Sequence, residues 1–144
     1  MSNRDNIKRS VLKGVAFIEQ HPAGFFIKGS FPANLLMEKS RLSNIAVKLW
    51  TLPHTEKLSE STSFTYALFD EIDALCAAVF CENDEKQYVL CAFFEAAHSD
   101  TVWGRMGEIK KILQTYSLKL KGATKNITKT LMSLYGELIK LFSK

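Results

Sequence analysis

Apolar residues recur at intervals of three and four along much of the chain, a spacing that places them on one face of an α-helix. The pattern is clearest in the last third. There, six residues fall within roughly 40° of one line on a helical wheel: Val102, Met106, Ile109, Leu113, Tyr116 and Leu120. Gly122 ends this predicted helix. A last helix follows it, with apolar residues Ile127, Leu131, Leu134, Tyr135, Leu138 and Phe142.

Four further helices are predicted in the first two thirds. Three of them are marked by apolar residues at helical spacing: Ile7, Val11, Val15 and Ile18; Leu35, Leu42, Ile45 and Leu49; and Leu68, Ile72, Leu75 and Val79. The second begins at Pro32, which suits the first turn of a helix, and ends before Pro53. The fourth covers residues 84–97 and is apolar nearly all round, as in a central buried helix. A short extended piece over 24–28 follows the first helix.

The composition favours the same fold class. The 144 residues are 47% apolar and 24% charged, which is the balance of one globular domain. No glycine occurs from residue 30 to residue 103, whereas all-β folds need frequent glycine-containing turns. The chain has more Leu and Ala than Ile and Val, and the first pair are the better helix formers. These features predict a predominantly α, compact single-domain bundle of five to six helices over residues 1–144.

The segment 75–94 has an alternative interpretation. Two apolar runs, 75–81 and 87–94, flank a polar stretch, and this arrangement is also typical of an antiparallel β-hairpin. Neither run alternates apolar with polar residues, as a strand with one wet face should, and this favours helices. The alternative fold is therefore an α+β domain in which a hairpin at about 75–94 is flanked by helices.

Charge is distributed unevenly along the chain, although the net charge is only +4. Residues 70–100 contain eight acidic residues and one basic residue, whereas residues 101–144 contain nine basic residues and two acidic ones. The two blocks cancel, so the net charge is a weak indication of an anionic partner. Opposed blocks of this kind favour charge matching within the fold or between subunits.

No group of residues predicts catalysis or a cofactor. Cys76, Cys81, Cys91 and His98 lack the spacing of a zinc site, and the three cysteines lie in apolar runs, as buried thiols of a cytoplasmic protein do. Glu95 and His98 form a single Glu-x-x-His motif, but a di-iron bundle needs two. The segment 24–30 differs from a phosphate-binding loop because its lysine precedes the second glycine. No secretory signal or membrane span is predicted.

The remaining hypothesis is a non-enzymatic cytoplasmic domain that binds another protein, as a regulator, adaptor, chaperone or inhibitor, or that associates with itself. Its interface would use apolar residues outside the buried helix stripes: Trp103, Ile112, Leu118, Met132 and Ile139. The alternative is a nucleic-acid-binding regulator that uses the basic C-terminal helices. Its phosphate contacts would come from Arg105, Lys110, Lys111, Lys119, Lys121 and Lys125.

Overall fold

A computed structural model describes residues 11–22, 24–32, 39–52, 56–83, 86–123 and 125–142, and describes residues 39–43 by their backbone only. The described residues form six strands: β1 (Leu12–His21), β2 (Gly24–Phe31), β3 (Glu56–Lys57), β4 (Thr62–Phe69), β5 (Ala74–Asn83) and β6 (Lys86–Glu95). They also form four α-helices: α1 (Lys39–Thr51), α2 (Ser99–Trp103), α3 (Met106–Leu120) and α4 (Ile127–Lys140). Two short 3-10 helices, Asp70–Ile72 and Ala96–His98, follow β4 and β6.

The strands build one antiparallel sheet in the order β2, β1, β6, β5, β4, β3. The chain forms the β1–β2 hairpin at one edge, and α1 leads from that edge to β3 at the other. Strands β4, β5 and β6 return stepwise toward the middle, where β6 pairs with β1. The three remaining helices follow β6. Helix α1 packs on one face of the sheet, and α3 and α4 pack on the opposite face.

Each face of the sheet has its own hydrophobic core. On one face, Phe17, Leu90 and Phe94 pack beneath α3 and α4, which contribute Ile109, Leu113, Leu120, Leu131, Leu134 and Leu138. On the other face, Ile18, Val89 and Phe93 pack beneath α1, which contributes Ile45, Ala46 and Leu49. The central strands are therefore buried on both sides.

The predicted predominantly α bundle is wrong. Residues 12–21, assigned to the first helix, form β1; residues 63–79 form β4, a 3-10 turn and the start of β5; and most of 84–97 forms β6. The runs in β5 and β6 do not alternate because helices cover both faces of the sheet, so residues on both faces must be apolar. Ile7 and Leu35, which marked the first two predicted helices, lie outside the described residues.

The long interval without glycine does not exclude strands here, because another residue makes the turn between β4 and β5. Asp73 adopts the left-handed conformation with φ 52°, which Asp and Asn tolerate better than most residues. The abundance of alanine has a similar explanation. Ala77, Ala78 and Ala92 lie fully buried in the two central strands, where small side chains leave room for helices on both faces.

Other parts of the sequence-based assignment are confirmed. Strands β5 and β6 pair as the hairpin given as the alternative for 75–94, although they form the middle of a sheet and not an isolated hairpin. The last predicted helix is α4, and the segment 24–28 is extended within β2. The helix predicted from Val102 differs in detail, because it is interrupted at Gly104 and Arg105 before α3 begins. The described part of the helix predicted from Pro32 is α1, and residues 33–38 of that prediction lie outside the described residues.

Gly29 allows α4 to rest closely on the edge strand β2. A Cβ atom at this position would lie 2.9 Å from Ile127 Cγ2 and 3.1 Å from Leu131 Cδ1. We expect Gly29→Ala to lower the free energy of unfolding by about 1–3 kcal/mol because the helix must shift outward. Gly136→Ala in α4 is the matched control, since a Cβ there meets nothing within 4 Å and should raise stability by up to ~1 kcal/mol. Urea denaturation of both variants checks this, and equal effects would contradict the proposed close packing.

Candidate functional site

Three large side chains form an exposed apolar surface beside β4, which we call the edge patch: Tyr66, Leu68 and Trp103. They are 46%, 55% and 52% exposed. Tyr66 and Trp103 are in contact, with ring centroids 4.6 Å apart and an angle of 60° between the ring planes. Leu68 follows Tyr66 on the same face of β4, since side chains two residues apart in a strand point the same way.

The edge patch exists because the helical layer ends before β4. Helix α3 packs mainly over β5 and also touches β6. Phe64, on the same face of β4, is buried and lies under Lys110 of α3, whose Nζ is 5.1 Å from the ring centroid. Further along β4 the face is open, and Leu68 stands opposite Leu75, which is only 7% exposed. Among the described residues, α3 does not extend over this outer part of the sheet face, and only the ring of Trp103 from α2 reaches it.

The position of Trp103 is fixed by its neighbour in the sequence. Val102 is fully buried in the core beneath α3 and α4, so the short helix α2 is held against the sheet. Since adjacent helical residues project about 100° apart, Trp103 points away from that core and meets Tyr66. Both aromatic rings of the edge patch are therefore carried by regular secondary structure whose inner side is buried.

The five residues predicted to form an interface do not lie together. Trp103 belongs to the edge patch, whereas Leu118 and Met132 are each 50% exposed on α3 and α4. Ile112 and Ile139 are partly buried and pack against the core. Tyr66 and Leu68 were missed because residues 63–79 were assigned to a helix. The signal for a strand is the alternation Ser-Phe-Thr-Tyr over 63–66, and it places Tyr66 on the same face as Phe64.

The six basic residues predicted to contact nucleic acid point in several directions. Lys110 and Lys119 are nine residues apart on α3, which places them about 180° apart around its axis. Lys110 Nζ is 2.7 Å from Glu56 Oε1, and Arg105 Nη1 is 3.0 Å from Glu108 Oε1. Lys119 lies over the ring of Tyr116, 4.6 Å from its centroid. The other three are Lys111 and Lys125, both exposed, and Lys121, which is partly buried.

A cleft of about 390 Å³ lies on the other face of the sheet, beside the end of α1. Trp50 forms one wall, with its ring centroid 5.0 Å from those of Phe25 and Phe80. The indole Nε1–H of Trp50 donates a hydrogen bond to Gln87 Oε1 over 3.1 Å. The charged residues that line the cleft are Lys57, Glu60 and Glu82. The cleft is lined by both polar and apolar side chains and lies next to a well-packed tryptophan.

All three cysteines are buried and free of disulfide bonds. Cys76 and Cys91 lie on the face covered by α1, and Cys81 lies on the opposite face, so they do not converge on one point. Burial raises the pKa of Cys81 to about 11, although the charge of Lys121 partly opposes this. Burial also raises the pKa of Cys76. Both thiols are therefore protonated at neutral pH and do not act as nucleophiles or metal ligands without ionisation. In the described residues, no three His, Cys, Asp or Glu side chains are grouped as metal ligands would be.

A buried carboxylate with three basic neighbours lies at the end of β1. Glu19 is 2% exposed. Its Oε1 is 3.3 Å from Lys28 Nζ, and its Oε2 is 3.6 Å from Lys86 Nζ and also contacts the imidazole of His21. Burial alone would raise the pKa of Glu19, but the hydrogen bond from Lys28 and the charges of Lys28, His21 and Lys86 together lower it. This cluster ties together the β1–β2 hairpin and β6.

Glu19 is expected to make stability depend on pH in the acid range. Because its pKa is lower in the folded protein than its ordinary value of 4.5, its contribution is complete above pH 4.5 and is lost as the pH falls through the folded pKa. We expect Glu19→Gln to lower the free energy of unfolding by about 1–3 kcal/mol at neutral pH. The difference from the wild type should shrink below pH 4.5. Urea denaturation over a pH series measures both effects.

Glu60→Gln is the control for this prediction, because Glu60 is exposed and has no ion pair among the described residues. Its stability should follow that of the wild type across the pH series. A constant difference between Glu19→Gln and the wild type at every pH would contradict the ionic role of Glu19.

Neither a scan against models of protein families nor a search of curated proteins gives a match for this chain. None of the helices within the described ranges is both long enough and apolar enough to cross a membrane.

Proposed function

We propose that this protein is a non-enzymatic, cytoplasmic protein-binding domain and that it binds a segment of its partner through the edge patch. The observation that carries the proposal is the contact between Tyr66 and Trp103, two rings that are each about half exposed on a sheet face that α3 does not cover. A regulator, an adaptor, a chaperone or an inhibitor would each use such a surface.

The residue types of the edge patch support this role. Tyrosine and tryptophan dominate the energetics of protein interfaces because each buries a large apolar area and still offers one hydrogen-bond donor. They also lose little conformational entropy when they become buried, particularly where the backbone beneath them is fixed. In this protein, β4 holds Tyr66 and the buried Val102 holds α2. The two rings are therefore largely preorganised for a partner.

The chemistry of the other surfaces gives less support to an enzyme or to a nucleic-acid-binding protein. Burial raises the pKa of Cys76 and of Cys81, and the described residues that line the cleft beside Trp50 include two carboxylates and one lysine but no histidine. The bases on α3 project to opposite sides, and two of the six are paired with acids of the same chain. Phosphate binding relies on bases that act together along one surface.

A selection from a peptide library displayed on phage tests the proposed function. The whole chain is immobilised, and enriched peptides are then measured against a Tyr66→Ala/Trp103→Ala variant. We expect the peptides to lose affinity for this variant and to keep it for Leu118→Ala/Met132→Ala, which removes two equally exposed apolar side chains elsewhere. Circular dichroism confirms that both variants fold. Peptides that bind both variants equally well, or a selection that enriches none, would contradict the proposal.

A further inference from the structure

We propose that the segment bound by the edge patch is basic: one or two apolar or aromatic residues contact Tyr66, Leu68 and Trp103, and lysines or arginines lie beside them. This inference rests on the proposed function and specifies the chemistry of the partner. Its basis is the charge around the edge patch, which is negative and is not neutralised by ion pairs among the residues that the structure describes.

Three exposed carboxylates border the edge patch. Asp70 and Asp73 belong to the turn that begins directly after β4. Asp70 is only two residues beyond Leu68 in the sequence. Asp100 is on α2, three residues before Trp103, and residues at this spacing are neighbours on a helix surface.

Backbone contacts connect these positions around the edge patch. The Ala96 N–H donates to the Asp73 carbonyl oxygen over 3.2 Å, which places the Ala96–His98 turn against the turn that follows β4. Helix α2 continues directly from Ala96–His98, and its Trp103 returns to Tyr66 through the ring contact. The residues that carry the three carboxylates and the three apolar side chains are thus connected by short chain segments, one backbone hydrogen bond and one ring contact.

In the described part of the chain, three bases near these residues are paired with other groups. Lys13 Nζ is 3.0 Å from the Ile72 carbonyl oxygen and 3.4 Å from Glu95 Oε1. Lys48 pairs with Glu71, and Arg105 pairs with Glu108. By contrast, Asp70, Asp73 and Asp100 take part in no ion pair or side-chain hydrogen bond within the part of the chain that the structure describes.

This arrangement matches the design of many interfaces, in which apolar anchors bind and rim charges select the partner. Rim charges raise the association rate and disfavour partners of the same sign, because the potentials of the two surfaces must be complementary. Three unpaired carboxylates therefore favour a basic segment and disfavour an acidic one. Two other exposed apolar side chains have basic neighbours instead: Leu118 on α3 is followed directly by Lys119, and Met132 has Lys129 three residues before it.

Neutralising the rim tests the inference. Asp70→Asn/Asp73→Asn/Asp100→Asn removes three negative charges, and Asn retains the left-handed backbone at position 73. The probes are the fluorescein-labelled peptides selected on the wild-type chain, measured by fluorescence anisotropy at low and at high salt. We expect the selected peptides to carry excess Lys and Arg, and the triple variant to weaken their binding about tenfold at low salt. High salt should reduce this difference because it screens the charges.

The matched control is Glu60→Gln/Glu82→Gln/Glu137→Gln, which makes the same change in net charge at three exposed acids elsewhere. It should alter the affinity less than twofold, or roughly the spread that distant surface charges produce. A copy of each selected peptide with Glu in place of its basic residues should lose binding to the wild type.

The outcomes separate this inference from the proposed function. Peptides that need Trp103 but lack a basic excess, or that bind the Asp→Asn variant as tightly as the wild type, overturn the inference and leave the edge patch as a binding surface. Equal losses with the two triple variants also overturn it, because the effect would then follow net charge. Peptides that bind without Tyr66 and Trp103 overturn the proposed function itself. A dimer that Trp103→Ala converts to a monomer would overturn the inference by identifying a second copy as the occupant.

Discussion

Replacing Phe93 with alanine is expected to lower the free energy of unfolding by about 3–5 kcal/mol, and replacing Phe94 should do the same. The two residues are adjacent in β6, so their side chains point to opposite faces of the sheet. Phe93 packs in the core beneath α1, and Phe94 packs in the core beneath α3 and α4. Both side chains are fully buried, so each substitution leaves a large cavity.

Urea denaturation measures both losses, and Phe26→Ala is the matched control. Phe26 lies on the edge strand β2 and is 50% exposed, so its removal should cost about 1 kcal/mol or less. In an amphipathic surface helix, truncating two adjacent residues would not lower the free energy of unfolding by this much at both positions, because only one of them would face the core. A loss below about 1 kcal/mol for either Phe93 or Phe94 would contradict a central strand that is covered on both faces.

Trp103→Ala is expected to have the largest effect on binding of any single substitution. Central aromatic anchors of interfaces contribute about 2 kcal/mol or more when truncated, so the selected peptides should bind about 30-fold more weakly or worse. The stability of the protein should fall by less than ~1 kcal/mol, because half of the side chain is exposed. Trp103→Phe should retain much of the affinity, since an aromatic ring could still meet Tyr66.

Trp50 is the natural control, because the chain contains two tryptophans. Trp50 packs between Phe25 and Phe80 and donates a hydrogen bond to Gln87. Trp50→Ala should therefore cost about 2–4 kcal/mol of stability and leave the affinity of the folded protein for the peptides nearly unchanged. Fluorescence anisotropy gives the affinities and urea denaturation gives the stabilities. A variant at Trp103 that binds as tightly as the wild type would contradict the role of the edge patch.

Local patterns predicted the elements at the surface better than those in the middle of the fold. Helices α3 and α4 each have one buried stripe and one polar side, so their helical periodicity is visible in the sequence. Strands β5 and β6 are buried on both faces and contain alanine, leucine and cysteine, so neither their periodicity nor their residue types distinguish them from a buried helix. The turn at Asp73 added to this ambiguity because it reverses the chain without glycine.

The candidate site could be predicted only in part because it combines distant segments. Trp103 was identified as an apolar residue outside the helical stripe, and it is exposed as that prediction requires. Its contact with Tyr66 joins residues 37 positions apart, and no local pattern specifies such a pairing. The same holds for Lys110, whose partner Glu56 is 54 residues away in the sequence. This ion pair neutralises the charge of Lys110, which the sequence alone assigned to phosphate binding. Both contacts join a helix to a strand, so the packing of helices on the sheet decides which side chains meet.

The most direct test of the edge patch uses the two indole N–H signals in a 15N-resolved NMR spectrum of the whole chain. One belongs to Trp103 and the other to Trp50, whose hydrogen bond to Gln87 makes it an internal reference on the opposite face of the sheet. Titration with a selected peptide should shift the Trp103 signal and leave the Trp50 signal in place. A shift of Trp50 with no change at Trp103 would show that the peptide binds at the cleft beside α1 and would contradict the proposed binding surface.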